Sequence, residues 1–236
     1  MWRMRIRPGQ VAVVTGAANG IGRALVSRLV AAGVKVVMAD VEEAPLRVAE
    51  IELQFFGGDV LAVPTDVTDL TEVERLRDRA LEHYGRVDLI VNNAGVIGPK
   101  KPVWELEASE WKRTTSVNLD GVFYMLKVFV PELVTRGRGH VVNVASVLGT
   151  STTPLMGDYA ASKHAVVGLT ETLRSELPAE IGVTLVLPGP VRTRLLDGEN
   201  DLMGIAQSPS AVADQIVAAV DAGRMRLSPN SLLMAA

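Results

Sequence analysis

The chain contains no cysteine, which excludes disulfide scaffolds, thiol nucleophiles and cysteine-built zinc sites together and fits a cytoplasmic setting. Its histidines, at positions 83, 140 and 164, fall at no metal-ligand spacing, so no metal is expected. Long hydrophobic runs are missing as well. Nothing approaches the roughly 18 apolar residues of a membrane span, and the opening MWRMRIRPGQ lacks the apolar stretch of a signal peptide. Arg3, Arg5 and Arg7 there read as a solvated tail or an edge strand. Charge is balanced, at a formal −3 with no block of five like charges, so no basic field invites nucleic acid. No repeat, low-complexity tract or linker divides the 236 residues, which are expected to form one domain, 1–236.

What the sequence does have is a recurring pattern. Short valine-rich runs appear at VAVVT (11 to 15), VKVVMAD (34 to 40), VDLIVNNAG (87 to 95), HVVNVAS (140 to 146) and VTLVLPG (183 to 189), with a shorter one before PTDVTD. Apolar without alternation, they suit strands buried on both faces. Between them lie amphipathic stretches such as GRALVSRLVAAG and LTEVERLRDRALEHYG. Alternating strand and helix predicts βαβ crossovers and an α/β, doubly wound, Rossmann-type parallel sheet with helices on both faces. Ligands of such sheets bind outside the carboxyl ends of the strands, so the residues that follow each run carry the information.

After the first run, TGAANGIGRALV places Gly16, Gly20 and Gly22, with Asn19 and Ile21 between them, at a strand-to-helix junction. Glycine permits close backbone approach and a helix N-terminus offers amides to a phosphate; a plain turn is the alternative. The second run ends at Asp40, 18 residues beyond Gly22, where a carboxylate accepts from ribose hydroxyls and repels a 2′-phosphate, selecting NAD over NADP. An acidic cap on the next helix is the other reading. Asp66 and the backbone of Val67 match an adenine edge, and Asp69 reads as a helix N-cap with Glu72 as its capping-box partner. NNAG brings Asn92, Asn93, Ala94 and Gly95 alongside a cofactor. Ser146 ends the fifth run, with Tyr159 and Lys163 at thirteen and seventeen residues beyond. In a helix, Tyr159 and Lys163 are neighbours at i and i+4. An ammonium about 4 Å from a phenol is worth roughly 4 kcal/mol, or about three pKa units. A tyrosine and lysine on a solvated helix face is the plain alternative.

In that order and spacing, TGAANGIG, Asp40, DV at 66 and 67, NNAG, VNLDGVF, Ser146 with YAASK, and PGPVRT resemble the short-chain dehydrogenase/reductase family from residue 9 to about 220. The resemblance implies an NAD(H)-dependent oxidoreductase acting on a secondary alcohol or ketone. Ser146 is implied to hold the substrate oxygen, Tyr159 to be general acid and base, and Lys163 to lower the phenol pKa and bind the nicotinamide ribose. Asn118 is implied to be a helix-kink residue holding a relay water, and Pro188, Gly189, Val191 and Thr193 to bind the carboxamide side of the cofactor. The alanines after Tyr159 are read as keeping the helix wall low for the nicotinamide and substrate. Epimerase- or dehydratase-type chemistry and a non-catalytic NAD-sensing module are the other readings of the same scaffold.

Two features depart from the family pattern. Pro178 is expected to end the last long helix early, and RMRLSPNSLLMAA replaces the usual glycine-rich last strand. The resemblance implies a homodimer or homotetramer built on two long helices, about 109 to 136 and 157 to 177. A mobile cover is expected at about 193–207, where Leu195, Leu196, Leu202, Met203 and Ile205 are apolar. Together with Leu148, Leu155, Met156, Val96 and Ile97 they suggest a substrate with an apolar body, although any one of them equally suits core packing. Arg192 and Arg194 read as a solvated pair.

Overall fold

The valine-rich runs form strands because each puts apolar side chains alternately on both faces of a sheet. In the computed structural model, which describes residues 4–196 and 205–228, these strands are β1 (Val11–Thr15), β2 (Lys35–Asp40), β3 (Val60–Pro64), β4 (Leu89–Asn92), β5 (Gly139–Val144) and β6 (Ile181–Val186), joined by a two-residue β7 (Arg226–Leu227). All pair in parallel, in the order β3-β2-β1-β4-β5-β6-β7. The order reverses between β1 and β4, and the crevice at their carboxyl ends is where such sheets bind ligands.

Helices α1 (Gly20–Ala31), α2 (Glu43–Phe55) and α7 (Pro209–Asp221) cover one face, and α3 (Leu70–Tyr84), α5 (Gly121–Arg136) and α6 (Gly157–Glu176) the other. The period-2 division is visible within single strands: Ala12 and Val14 join Leu29 and Ile216 in one core, while Val13 joins Phe129 and Leu76 in the second. Helix α4 (Ala108–Thr115) runs into α5 through a π-helical turn, Ser116–Asp120.

Pro178 acts as expected, and two other expectations change. Leu177 is extended (ψ 147°) before Pro178, so α6 stops at Glu176. A seventh strand survives the atypical C-terminal sequence, with Leu227 paired to Val186. From Met4 onward the N-terminal segment is docked, with Met4 buried and Ile6 N donating to Asp221 Oδ1 at 2.7 Å, while Arg5 and Arg7 are exposed and Arg3 lies outside the described residues. Among the described residues no helix is long and apolar enough to cross a membrane, and no group of acidic or histidine side chains is placed to hold a metal.

Candidate active site

The turn after β1 is held by polar contacts from β4. Thr15 ends an otherwise apolar strand, and its hydroxyl accepts from the amides of Asn93 (3.0 Å) and Ala94 (3.1 Å). Asn93 Nδ2 in turn donates to the carbonyls of Thr15 (2.9 Å) and Gly16 (3.2 Å). Gly16 and Gly20 have φ of +64° and +57°, where a side chain is strained. Gly22 has a different reason: a Cβ there would lie 2.1 Å from the Gly16 carbonyl. Asn19 is the N-cap of α1 but makes no side-chain cap bond. Its amide goes to Glu42 Oε2 at 3.1 Å, leaving the first α1 amides without a side-chain acceptor, the state an anion cradle needs.

Asp40 closes β2 against this turn. Its Oδ2 accepts from Ala18 N and its Oδ1 from Glu42 N, each at 3.0 Å. Glu42 occupies the N-cap position of α2 without a side-chain cap bond, and Asp40 accepts from its amide from outside the helix. Asp66 folds a local turn, accepting from Thr68 N at 2.9 Å and Thr68 Oγ1 at 2.8 Å, and buried Val67 packs against Gly121. Asp69 is the α3 N-cap, but only half of the expected capping box forms, because the Glu72 carboxylate reaches Asp66 N at 2.7 Å instead.

Asn92 is placed differently from expectation. It is buried and donates to Asn143 Oδ1 at 2.7 Å, with Asn143 passing on to Thr170. The alternation of a strand turns Asn92 inward when Asn93 turns toward the glycine turn. Gly95 faces the catalytic candidates: a Cβ there would come within 3.2 Å of Asn118 Oδ1 and 3.4 Å of Lys163 Nζ. Asn118 sits in the π-helical turn, fully buried. Its side chain exchanges two bonds with the Val96 backbone, 2.8 Å to N and 2.9 Å to O, and also donates to Ser162 Oγ at 3.0 Å.

Ser146, Tyr159 and Lys163 meet beyond the end of β5. Ser146 Oγ accepts from Leu148 N at 3.1 Å, and the Pro188 carbonyl accepts from Val147 N at 2.9 Å, tying this loop to the one after β6. Lys163 is buried, donates to the Val144 carbonyl at 3.1 Å, and places Nζ 5.6 Å from the centroid of the Tyr159 ring. Burial lowers its ammonium to about 8. Burial also raises the Tyr159 phenol above the ordinary tyrosine value, and the hydrogen bond with Ser146 draws it back only in part. The ammonium, itself desolvated, is hydrogen-bonded to the Val144 carbonyl. Ala160, Ala161 and His164 line a groove of about 600 Å³ with Pro102, Val103 and Trp104.

Pro188 and Val191 are buried and Gly189 half-buried, while the Thr193 methyl would be 3.0 Å from a Cβ on Gly20, so the loop after β6 lies on the glycine turn. That loop is pinned to the start of α7: Arg192 N donates to the Gln207 carbonyl and Gln207 N to that of Pro190. Arg192 and Arg194 are both exposed, as expected, and each has a partner: Arg192 binds the Ala206 carbonyl and Arg194 pairs with Glu42 at 3.1 Å. Met156 precedes α6 and bridges to Lys101, Ile21 is half-buried in the first turn of α1, and Leu195 is exposed. Of the expected cover at about 193–207, residues 197–204, including Leu202 and Met203, lie outside the described residues, as does the Leu196 side chain. Sequence reasoning missed Thr15, Ser162 and the Glu42–Arg194 pair. Only Thr15 left a signal, a hydroxyl closing an apolar run.

A family model for short chain dehydrogenases matches residues 10–203. The chain is 37% identical over 218 residues to 1-deoxy-11-beta-hydroxypentalenate dehydrogenase of Streptomyces arenae, covering 89% of this chain and 77% of that protein. It is 37% identical over 190 residues to 3beta-hydroxysteroid dehydrogenase 2 of Eggerthella lenta, covering 79% and 73%. A short chain dehydrogenase/reductase from Burkholderia phymatum, solved in complex with NAD, superposes with a TM-score of 0.92 at 35% identity over 98% of this chain and 92% of that one. On this sheet order, this site and these matches, the chain belongs to the short-chain dehydrogenase family.

Proposed function

We propose that the protein is an NAD(H)-dependent oxidoreductase that moves a hydride between nicotinamide and a secondary alcohol or ketone with an apolar body. One observation carries this reading: Ser146, Tyr159 and buried Lys163 meet beyond the end of β5, with Lys163 Nζ 5.6 Å from the Tyr159 ring centroid, at the same carboxyl-end crevice as the uncapped glycine turn.

The residues present fit the cofactor. Gly16, Asn19, Gly20, Ile21 and Gly22 surround amides that no side chain caps, and Asp40 stands at the rim for the ribose hydroxyls. Asp66 and Val67 flank the adenine side, and Asn93, Ala94 and Gly95 form the floor. Pro188, Gly189, Val191 and Thr193 close the carboxamide side. When bound, nicotinamide supplies or takes the hydride. The chain supplies the rest: Ser146 orients the substrate oxygen, Tyr159 gives or takes its proton, and Lys163 holds the neighbouring ribose. Both Nδ2 protons of Asn118 go to Val96 and Ser162 while its Oδ1, which accepts from Val96 N, keeps a lone pair for a relay water.

Leu148, Met156 and Leu195, with the 193–207 segment as a cover, favour an apolar substrate body. The names of two relatives, which refer to a hydroxypentalenate and a 3β-hydroxysteroid, support a hydroxylated carbon skeleton. The same reading places the enzyme in the cytoplasm as a homodimer or homotetramer through α4–α5 and α6, along which Trp111 and Phe123 remain exposed. The test is a screen of alcohols and ketones followed by NADH absorbance, with wild type and Tyr159→Phe side by side. The variant is expected to bind NADH normally and lose nearly all turnover; an active variant overturns the assignment.

A further inference from the structure

Glu42 stands two residues beyond Asp40 and gathers three contacts around the mouth of the glycine turn. Its amide donates to Asp40 Oδ1 at 3.0 Å. Its carboxylate accepts from Asn19 Nδ2 at 3.1 Å and from Arg194 Nη1 at 3.1 and 3.3 Å. Arg194 arrives from the loop after β6, far away in sequence, because Thr193 is seated on Gly20. Nearby cations are engaged elsewhere: Arg23 holds Glu52 at 3.0 Å and Arg47 holds Glu50 at 3.2 Å. Arg194 is thus the guanidinium within one side chain of the carboxylate that meets the ribose.

We propose that Glu42 is a positioning residue for cofactor choice, keeping the Arg194 guanidinium away from a 2′-phosphate while Asp40 repels that phosphate directly. The inference rests on the NAD reading above and deepens it. A guanidinium presents a planar fork that matches a phosphate as well as a carboxylate, so an unclaimed arginine at this rim would favour NADP. Glu42 both occupies that fork and adds a second negative charge beside Asp40. The pair is exposed, at 61% and 48% of the two side chains, so breaking it removes little stability. Glutamine keeps an oxygen for Asn19 and loses the charge that holds Arg194.

The experiment compares wild type, Glu42→Gln, Arg194→Ala and the double variant. Calorimetry measures binding of 2′,5′-ADP, which carries the extra phosphate, and of 5′-AMP, which does not; NADP and NAD turnover are measured in parallel. Glu42→Gln is expected to bind 2′,5′-ADP about tenfold tighter and to lower the KM for NADP with kcat little changed, a gain that shrinks in high salt. Binding of 5′-AMP is expected to change by less than about twofold. Adding Arg194→Ala is expected to cancel the gain. Equal 2′,5′-ADP affinity in Glu42→Gln and the double variant overturns the proposal, as does no gain in Glu42→Gln. Wild type that uses NADP as readily as NAD sinks the NAD reading, while the calorimetric comparison still decides the role of Arg194.

Discussion

At the scale of single residues, the site places Lys163 where folding opposes its charge. Burial holds its ammonium at about 8, so at neutral pH the fold carries a charged amine that it would hold more easily neutral. The sign follows from linkage. Between about 8 and the ordinary lysine value the unfolded chain binds more protons, stability rises with pH there, and below that window the full cost of about 3 kcal/mol is present. Lys163→Met removes the cost while leaving the Val144 carbonyl without its donor, worth about 1 kcal/mol. The variant is expected to be about 2 kcal/mol more stable at pH 7 by urea denaturation, and to lose turnover; a destabilised variant contradicts this account. Tyr159 makes the complementary case. Its raised phenol is in the acid form at neutral pH, ready to protonate a carbonyl oxygen. Ketone reduction is therefore expected to hold across neutral pH, whereas alcohol oxidation, which needs the phenolate, rises steadily as the assay is made alkaline. An oxidation rate that falls with pH under saturating substrate would remove Tyr159 as the base.

At the scale of elements, the π-helical turn is the piece that aligns the others. An extra residue in one helical turn swings Asn118 inward, where it binds Val96 as a strand neighbour would and supports Ser162, the residue just before Lys163. Asn118→Ala strands the amide and carbonyl of Val96 in the interior, and is expected to cost about 3 kcal/mol of stability. Because Ser162 also bonds the Tyr159 carbonyl at 2.7 Å, kcat is expected to fall more than KM changes; an Asn118→Ala enzyme with normal kcat would separate the turn from catalysis. Elements of this kind mark the limit of what the sequence shows. The six longer strands were legible because double-sided burial leaves continuous valine runs, and Gly16, Asp40, Asn93 and Ser146 stood out because they end or follow those runs, whereas Tyr159 was marked only by its spacing to Ser146 and Lys163. Asn92 was misplaced because one residue of alternation decides its face. β7 left no hydrophobic signature, being two residues long. The Glu42–Arg194 contact joins segments whose proximity only the closed sheet and its loops create.

At the scale of the whole molecule, chemistry and stability sit at opposite ends of one sheet. The carboxyl ends of the strands hold the site, while their amino ends hold buried polar groups that the reaction does not use. There Asp88, buried in spite of its charge, is held below the usual carboxylate value: burial pushes it up, but Arg86, the Val11 amide and Arg136 together outweigh that. His140 lies beside it with a tautomer dictated by its partner. Thr184 spends its only hydroxyl proton on the Arg224 carbonyl at 2.7 Å, so His140 donates from Nε2 to Thr184 at 2.9 Å. Its Nδ1 is buried without a partner, at a spot only 2.2 Å from where a Cβ on Gly182 would stand. A proton on Nδ1 would find no protein acceptor, and burial depresses the imidazole to about 4. The unfolded chain binds the proton near the ordinary histidine value, so the contribution of His140 is fully present above about 6.5 and is lost as pH falls toward 4, about 3 kcal/mol in all. Asp88 adds its loss only below that window, as its carboxylate protonates. Urea midpoints are therefore expected to decline between pH 6.5 and 4 in wild type. In His140→Phe they are expected to stay nearly level over the same range, with turnover at pH 7 retained because the ring is remote from Tyr159. If His140→Phe loses stability with acid as steeply as wild type, the sensitivity arises elsewhere in the sheet.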